Sequence, residues 1–103
     1  MSVSKKYLKT KPVCKVTFRI PSNMANNANK ATLTGDFNNW DVDALQMKKL
    51  KKDGSFSVTI DLEAGKEYKY RYLLDDNNWL NDEAADRYEF DHQVNTDNCI
   101  ISL

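Results

Sequence analysis

The chain has 103 residues, 15 Lys plus Arg against 15 Asp plus Glu, and a formal net charge of zero. That length is one domain with room for a modest core, and the balanced charge argues against a nucleic-acid backbone as partner, which needs a basic excess. Two Cys and one His fall short of a structural zinc ligand set, and no apolar run is long enough for a membrane-spanning helix.

Met1–Pro12 is basic and lacks the apolar stretch of a secretory signal. It reads as a flexible segment, with Tyr7 and Leu8 able to tuck against an edge, and the expected location is cytoplasmic. From residue 13 onward alternation with period two takes over. Cys14, Val16, Phe18 and Ile20 share one face of a first strand, with Lys15, Thr17 and Arg19 on the other. Pro21–Lys30 is an Asn-rich loop. In Ala31–Phe37, Ala31, Leu33 and Phe37 share a side, with Gly35 between them. Asp53-Gly54, between Leu50 and Phe56, is a strong hairpin signal. Phe56, Val58, Ile60 and Leu62 then alternate with Ser57, Thr59, Asp61 and Glu63. Gly65 lies in a short linker that predicts a meander into Tyr68, Tyr70, Tyr72 and Leu74, alternating with Lys69, Arg71 and Leu73. Asp75–Asn81 is a turn region, and Glu83–Tyr88 is expected to form one helical turn. Cys99, Ile101 and Leu103 face the core in a last strand. Cys14 and Cys99, both in apolar alternating segments, read as buried thiols acting as small hydrophobes; a disulfide would need the first and last strands to be neighbours.

Each of these strands has one apolar face, so two sheets must pack together. About seven short antiparallel strands at this spacing predict an immunoglobulin-like β-sandwich occupying residues 13–103. The Cys–Trp–Cys pattern of antibody domains is absent.

Trp40 and Trp79 are the two Trp residues, and each sits in a polar, Asn/Asp-rich stretch. An indole in such a place is either a lid on the core or an exposed stacking platform. Two platforms among Asn, Arg and Thr suit a sugar: its C–H faces stack on rings, and its hydroxyls pair with amides. The competing reading of Trp40 is a structural side chain closing one end of the sandwich. For Arg71 the competing reading is a solvated cation paired with Asp61 or Glu63, and for Asn98 a cap at a strand start. Asp75, Asp76, Asp82, Glu83, Asp86, Glu89 and Asp91 form an acidic stretch. It lacks the Asp-x-Asp-x-Asp-Gly spacing of a calcium loop and the buried cleft a glycosidase pair needs, so it reads as a solvated loop. His92 has no nucleophilic partner in sequence. No cofactor is expected.

The ordered motifs Gly35-Asp36-Phe37-Asn38-Asn39-Trp40, Asp53-Gly54-Ser55-Phe56, Tyr68-Lys69-Tyr70-Arg71-Tyr72, Trp79 and Thr96-x-Asn98 resemble the isoamylase N-terminal (early-set) domain, carbohydrate-binding module family 48. That family includes the glycogen-binding domain of the AMP-activated kinase β subunit. The resemblance runs over roughly residues 13–103. It implies an early-set β-sandwich that binds α-1,4-glucans such as glycogen, starch or maltodextrin without catalysis. By motif position it makes Trp40 and Trp79 the two stacking residues. Arg71, with Lys69 two residues earlier, stands where a basic hydroxyl-binding residue is expected; Thr96, Asn98 and the apolar Val94 complete the site. Two features depart from the family pattern: the Asp75-Asp76-Asn77-Asn78 turn is one residue longer than the usual Asp-Gly turn, and no Pro follows Asp82. Most relatives are appended to glycoside hydrolase family 13 enzymes, so a glycoside hydrolase acting in trans is the partner implied. The alternative is an early-set protein-interaction domain that has lost sugar binding.

Overall fold

The computed structural model describes residues 3–25, 28–43, 45–75, 78–82, 85–93 and 95–103. Alternating side chains pull the chain into two antiparallel sheets whose apolar faces meet. β2 (Val13–Ile20) pairs along its whole length with β5 (Phe56–Glu63), setting Cys14 opposite Leu62 and Phe18 opposite Val58. β1 (Val3–Tyr7) and β4 (Lys48–Lys49) flank that pair, giving the order β1-β2-β5-β4. The second sheet is built around β6 (Glu67–Leu74). On one edge it carries β3 (Ala31–Gly35), and on the other β9 (Thr96–Ser102) followed by β8 (Arg87–Asp91). β7 (Asn78–Leu80) also pairs with β6. The result is the β-sandwich that the alternation predicts.

The core takes the expected faces: Cys14, Val16, Phe18 and Ile20 from β2 meet Leu33, Tyr70, Tyr72, Leu74, Cys99 and Ile101 from the other sheet. The Phe18 and Tyr70 rings pack edge-on, with centroids 5.1 Å apart. The sides of the sandwich are also closed. On one side the chain runs along β3, with Leu33 N–H donating to the Leu45 carbonyl and Met47 N–H to that of Ala31, and then crosses into β4. On the other, Lys5 Nζ in β1 donates to Asp86 Oδ2 at 2.7 Å and to the Ser102 carbonyl at 3.0 Å. The Asp53-Gly54 hairpin forms as expected: Lys49 pairs with Phe56, Leu50 N–H donates to the Ser55 carbonyl, and Gly54 takes a φ of 77°.

Several expectations are corrected. The sequence suggests about seven strands, and the described residues form nine. The extra ones are short or polar, and alternation is weak evidence there. Val3–Tyr7, read as part of a flexible segment, is strand β1, held by its ladder to β2 and by the Lys5 bonds. The Gly65 linker does not make a meander, because β5 and β6 lie in different sheets. Arg87 and Tyr88, placed in a helical turn, begin β8; Glu83 and Ala84 of that turn lie outside the described residues. Phe37 leaves β3 for a single 3-10 turn, Asp36–Asn38, yet its ring still packs near Phe18 and Tyr68. Leu73 and Ile100, on the nominally polar faces of β6 and β9, are buried. Cys14 and Cys99 are buried free thiols in opposite sheets.

Candidate functional site

Each residue of Gly35–Trp40 has a separate job. At Gly35 the backbone of β3 approaches β6 so closely that an added Cβ would lie 2.3 Å from the Lys69 carbonyl oxygen. The backbone there is extended, so the need for glycine is steric. Asn38 ties the turn to the strand: its Oδ1 accepts from Gly35 N–H at 3.1 Å and its Nδ2 donates to the Leu33 carbonyl at 3.0 Å. Asn39 and Trp40 both adopt left-handed backbone, φ 57° and 59°. This reverses the chain and brings Trp40 N–H to the Gly35 carbonyl at 2.9 Å. Asp36 then fixes the indole. One carboxylate oxygen accepts from Trp40 Nε1 at 3.0 Å, and the other accepts from Lys69 N–H of β6 at 2.9 Å. The ring of Trp40 is thus bolted to the central strand through one side chain.

The second half of the site arises where β6 changes neighbours. Glu67–Tyr70 pairs with β9, and Tyr72–Leu74 pairs with β7. Arg71 lies between these two stretches. Its Nε donates to Asn81 Oδ1 at 2.8 Å, and Asn81 Nδ2 donates in turn to the Asp97 carbonyl at 3.1 Å. Asn81 therefore joins the exit of β7 to the start of β9. The Arg71 guanidinium lies 5.2 Å from the Trp79 ring centroid, within cation–π range. Partial burial lowers the Arg71 pKa from its ordinary value, and the group stays cationic. Trp79 is in β7, opposite Leu73, where the sequence places it in a turn; its ring is 44 % exposed. Asn98, nearly buried, holds its amide 3.4 Å from Asp91 Oδ2. Trp40, Val42, Arg71, Trp79, Thr96 and Asn98, with Asp91 and Gln93, line one open cleft of about 590 Å³.

A family model for carbohydrate-binding module 48, the isoamylase N-terminal domain, matches residues 12–91. The chain belongs to that family. Module 48 domains are carbohydrate-binding rather than catalytic units. Among solved structures, the chain is similar to the enterobactin esterase FES from Shigella flexneri, with a TM-score of 0.57 at 14 % identity. The match covers 89 % of this chain and 23 % of that one, and it speaks to the fold alone. Comparison with curated proteins returns no match.

Within this module 48 domain, the structure brings Trp40, Arg71, Trp79, Thr96 and Asn98 together. Lys69 stands apart: its ammonium pairs with Glu89 at 2.9 Å and lies outside the cleft lining. Val94 lies outside the described residues. Arg71 does not meet Asp61 or Glu63, which belong to β5 in the opposite sheet. Asp36, Val42, Asn81, Asp91 and Gln93 are contributors that sequence reasoning did not assign. For Asp36 the signal was available, since the acid four residues before a half-buried Trp can reach the indole N–H.

The acidic stretch is largely structural rather than a solvated loop. Asp75 Oδ1 accepts from the Asn29 and Lys30 amides. Asp86 accepts from Lys5 and from Ser102 N–H. Asp82 is 2 % exposed, and its Oδ2 accepts from both Tyr70 Oη and Tyr72 Oη at 2.9 Å. Its amide N–H donates to Cys99 Sγ, and its carbonyl accepts from Tyr88 Oη. Inward-facing tyrosines need acceptors for their hydroxyls, and Asp82 supplies one for two of them. Asp76 and Glu83 lie outside the described residues. His92 packs against Phe90, ring centroids 4.9 Å apart.

Chemically, the cleft offers aromatic faces, a planar cation, an amide and a hydroxyl on one wall-to-wall surface. Such a set is chemically suited to a neutral polyhydroxylated ligand: aromatic rings can stack on C–H faces, and a guanidinium and an amide can pair with hydroxyls.

Proposed function

We propose that this domain is a non-catalytic module that binds α-1,4-linked glucans of the glycogen, starch and maltodextrin type. The observation that carries the reading is the convergence of both indoles, Arg71 and Asn98 on one solvent-open cleft. Trp40, held by Asp36, and Trp79, backed by Arg71, supply two stacking surfaces already placed before the ligand arrives, which lowers the ordering cost of binding. Two stacking contacts and a few water-exposed hydrogen bonds, less the cost of ordering a supple glucan, give a Kd of roughly 10 µM to 1 mM. Binding this weak is useful when several modules act together or when the module is tied to an enzyme. A glycoside hydrolase family 13 enzyme acting in trans on the same polymer is the partner this reading supplies.

The test is a titration with maltoheptaose followed by Trp fluorescence. The wild-type domain is expected to saturate in the millimolar range or below. Trp79→Ala, at an exposed position, is expected to abolish binding while the domain keeps its fold by circular dichroism. A flat wild-type titration at millimolar oligosaccharide would remove the glucan reading and leave an early-set interaction scaffold.

A further inference from the structure

The zero net charge conceals an uneven division. Residues 3–20, which contain β1 and β2 of the first sheet, carry six Lys and Arg and no Asp or Glu. Residues 31–47 and 67–103, which supply the sheet under the cleft, carry twelve Asp and Glu against three Lys and Arg. Of those three cations, Lys69 pairs with Glu89 and Arg87 with Glu67. The cleft therefore opens on the acidic side of a bipolar molecule, whose field repels an anion.

Within the cleft, Arg71 and Asp91 are the charged side chains of the lining among the described residues. Directly paired residues of an antiparallel ladder share a face. The β8–β9 pairs Asp91–Thr96 and Glu89–Asn98 thus put Asp91 on the same face as Thr96 and Asn98, and Phe90 with its partner Asp97 on the other. Asn98 is 4 % exposed, whereas Asp91 is half-buried, so the carboxylate is the more accessible of the two. Its Oδ1 accepts from Gln93 N–H at 2.9 Å, and its Oδ2 lies 3.4 Å from Asn98 Nδ2. Each oxygen keeps a further lone pair for a hydroxyl. An ionised carboxylate accepts hydrogen bonds and donates none, so it welcomes a sugar O–H and repels a second anion.

We propose that Asp91 is a specificity-determining residue of the cleft. It accepts a hydroxyl of an uncharged glucan and turns away a glucan that carries carboxylate or phosphate groups. Together Arg71 and Asp91 give the lining no net charge, and removing the Asp91 charge leaves it cationic. The proposal rests on the glucan reading of the cleft and narrows its substrate class.

The experiment measures calorimetric affinity for maltoheptaose and for maltoheptaose oxidised at its primary alcohols to carboxylates. Wild type is expected to prefer the uncharged sugar by about 10-fold or more, the effect of one nearby like charge. Asp91→Asn keeps the shape and is expected to weaken maltoheptaose about 3- to 10-fold, since an amide accepts less strongly than a carboxylate. It is also expected to bind the oxidised sugar more tightly than wild type does, so the preference shrinks. Gln93→Glu adds a charge to the same lining and is expected to widen the preference. Asp97→Asn removes an equal charge from the opposite face and is expected to leave it as in wild type. An unchanged preference in Asp91→Asn, or an equal change in Asp97→Asn, would overturn the role of Asp91 while leaving the glucan cleft intact. Equal binding of both sugars by wild type would do the same. Absence of maltoheptaose binding by wild type would overturn both readings.

Discussion

Asp36 divides its two carboxylate oxygens between the Trp40 indole and the Lys69 amide, so one short side chain sets the position of the Trp40 ring relative to the central strand. Asp36→Ala is expected to cost about 1–2 kcal/mol in chemical denaturation, from two lost charge-assisted hydrogen bonds in a partly solvated place. It is also expected to weaken maltoheptaose binding, because Trp40 is no longer held. Gly35→Ala tests the neighbouring constraint. A Cβ 2.3 Å from a backbone oxygen cannot be accommodated by a side-chain rotation, so the strands must part. A stability loss of about 3 kcal/mol or more is expected from overpacking, read as a drop in the denaturation midpoint; a neutral result would mean that β3 and β6 are not so closely apposed. At this scale the sequence is informative wherever a motif imposes geometry. Trp40, Arg71, Trp79, Thr96 and Asn98 are legible because their neighbours form a recognisable pattern, and they meet in one cleft. Lys69 shares Arg71's strand face by periodicity, but Glu89 sits across the sheet to pair with it, and no local pattern announces that. Val42, Asp91 and Gln93 reach the cleft from turns whose course depends on packing.

The β6 strand carries Tyr70 and Tyr72 inward, and the segment after β7 returns Asp82 to receive both hydroxyls. Burial, reinforced by the Asp82 carboxylate, pushes both tyrosine pKa values above their ordinary 10.0, and burial pushes the Cys99 thiol from 9.0 to about 11. The folded protein therefore holds these protons at pH values where the unfolded chain releases them. Since the folded state binds more protons, stability falls as pH rises. The contribution is complete below about pH 9, the unfolded thiol's range, and is lost progressively above it. Denaturation midpoints measured across the alkaline range should decline, and Tyr70→Phe should decline less steeply; a flat alkaline profile would show that the cluster is open to water. At this scale alternation reveals which face of a strand is buried and stays silent about which sheet the strand joins. The linker between β5 and β6 can serve a hairpin or a crossing between sheets, and the choice is made by where the two apolar faces find partners. β8 was missed for a related reason: Tyr88 and Phe90 alternate with Arg87, Glu89 and Asp91, but their rings remain about half exposed, so the strand carries little core signal.

Taken whole, the molecule is a closed sandwich whose candidate binding surface lies on the outer face and turns of one sheet. Its net charge is zero, and the ligand proposed for it is neutral. Affinity for maltoheptaose is therefore expected to change little between low and high salt, unlike binding to a polyanion, which weakens steeply as counterions compete. A strong salt dependence in the fluorescence titration would point to an anionic ligand instead. The fold as a whole was the most legible level, because long alternating strands and one hairpin signal leave few ways to hide the apolar faces. The site was legible only as far as its motif reached. The central claim is that Trp40 and Trp79 grip one glucan chain. The most direct test is a two-dimensional NMR titration of isotopically labelled domain with maltoheptaose. Both indole N–H signals and the Asn98 amide are expected to shift together along one saturation curve. Unmoved indole signals at millimolar sugar, or two indoles following different curves, would contradict it.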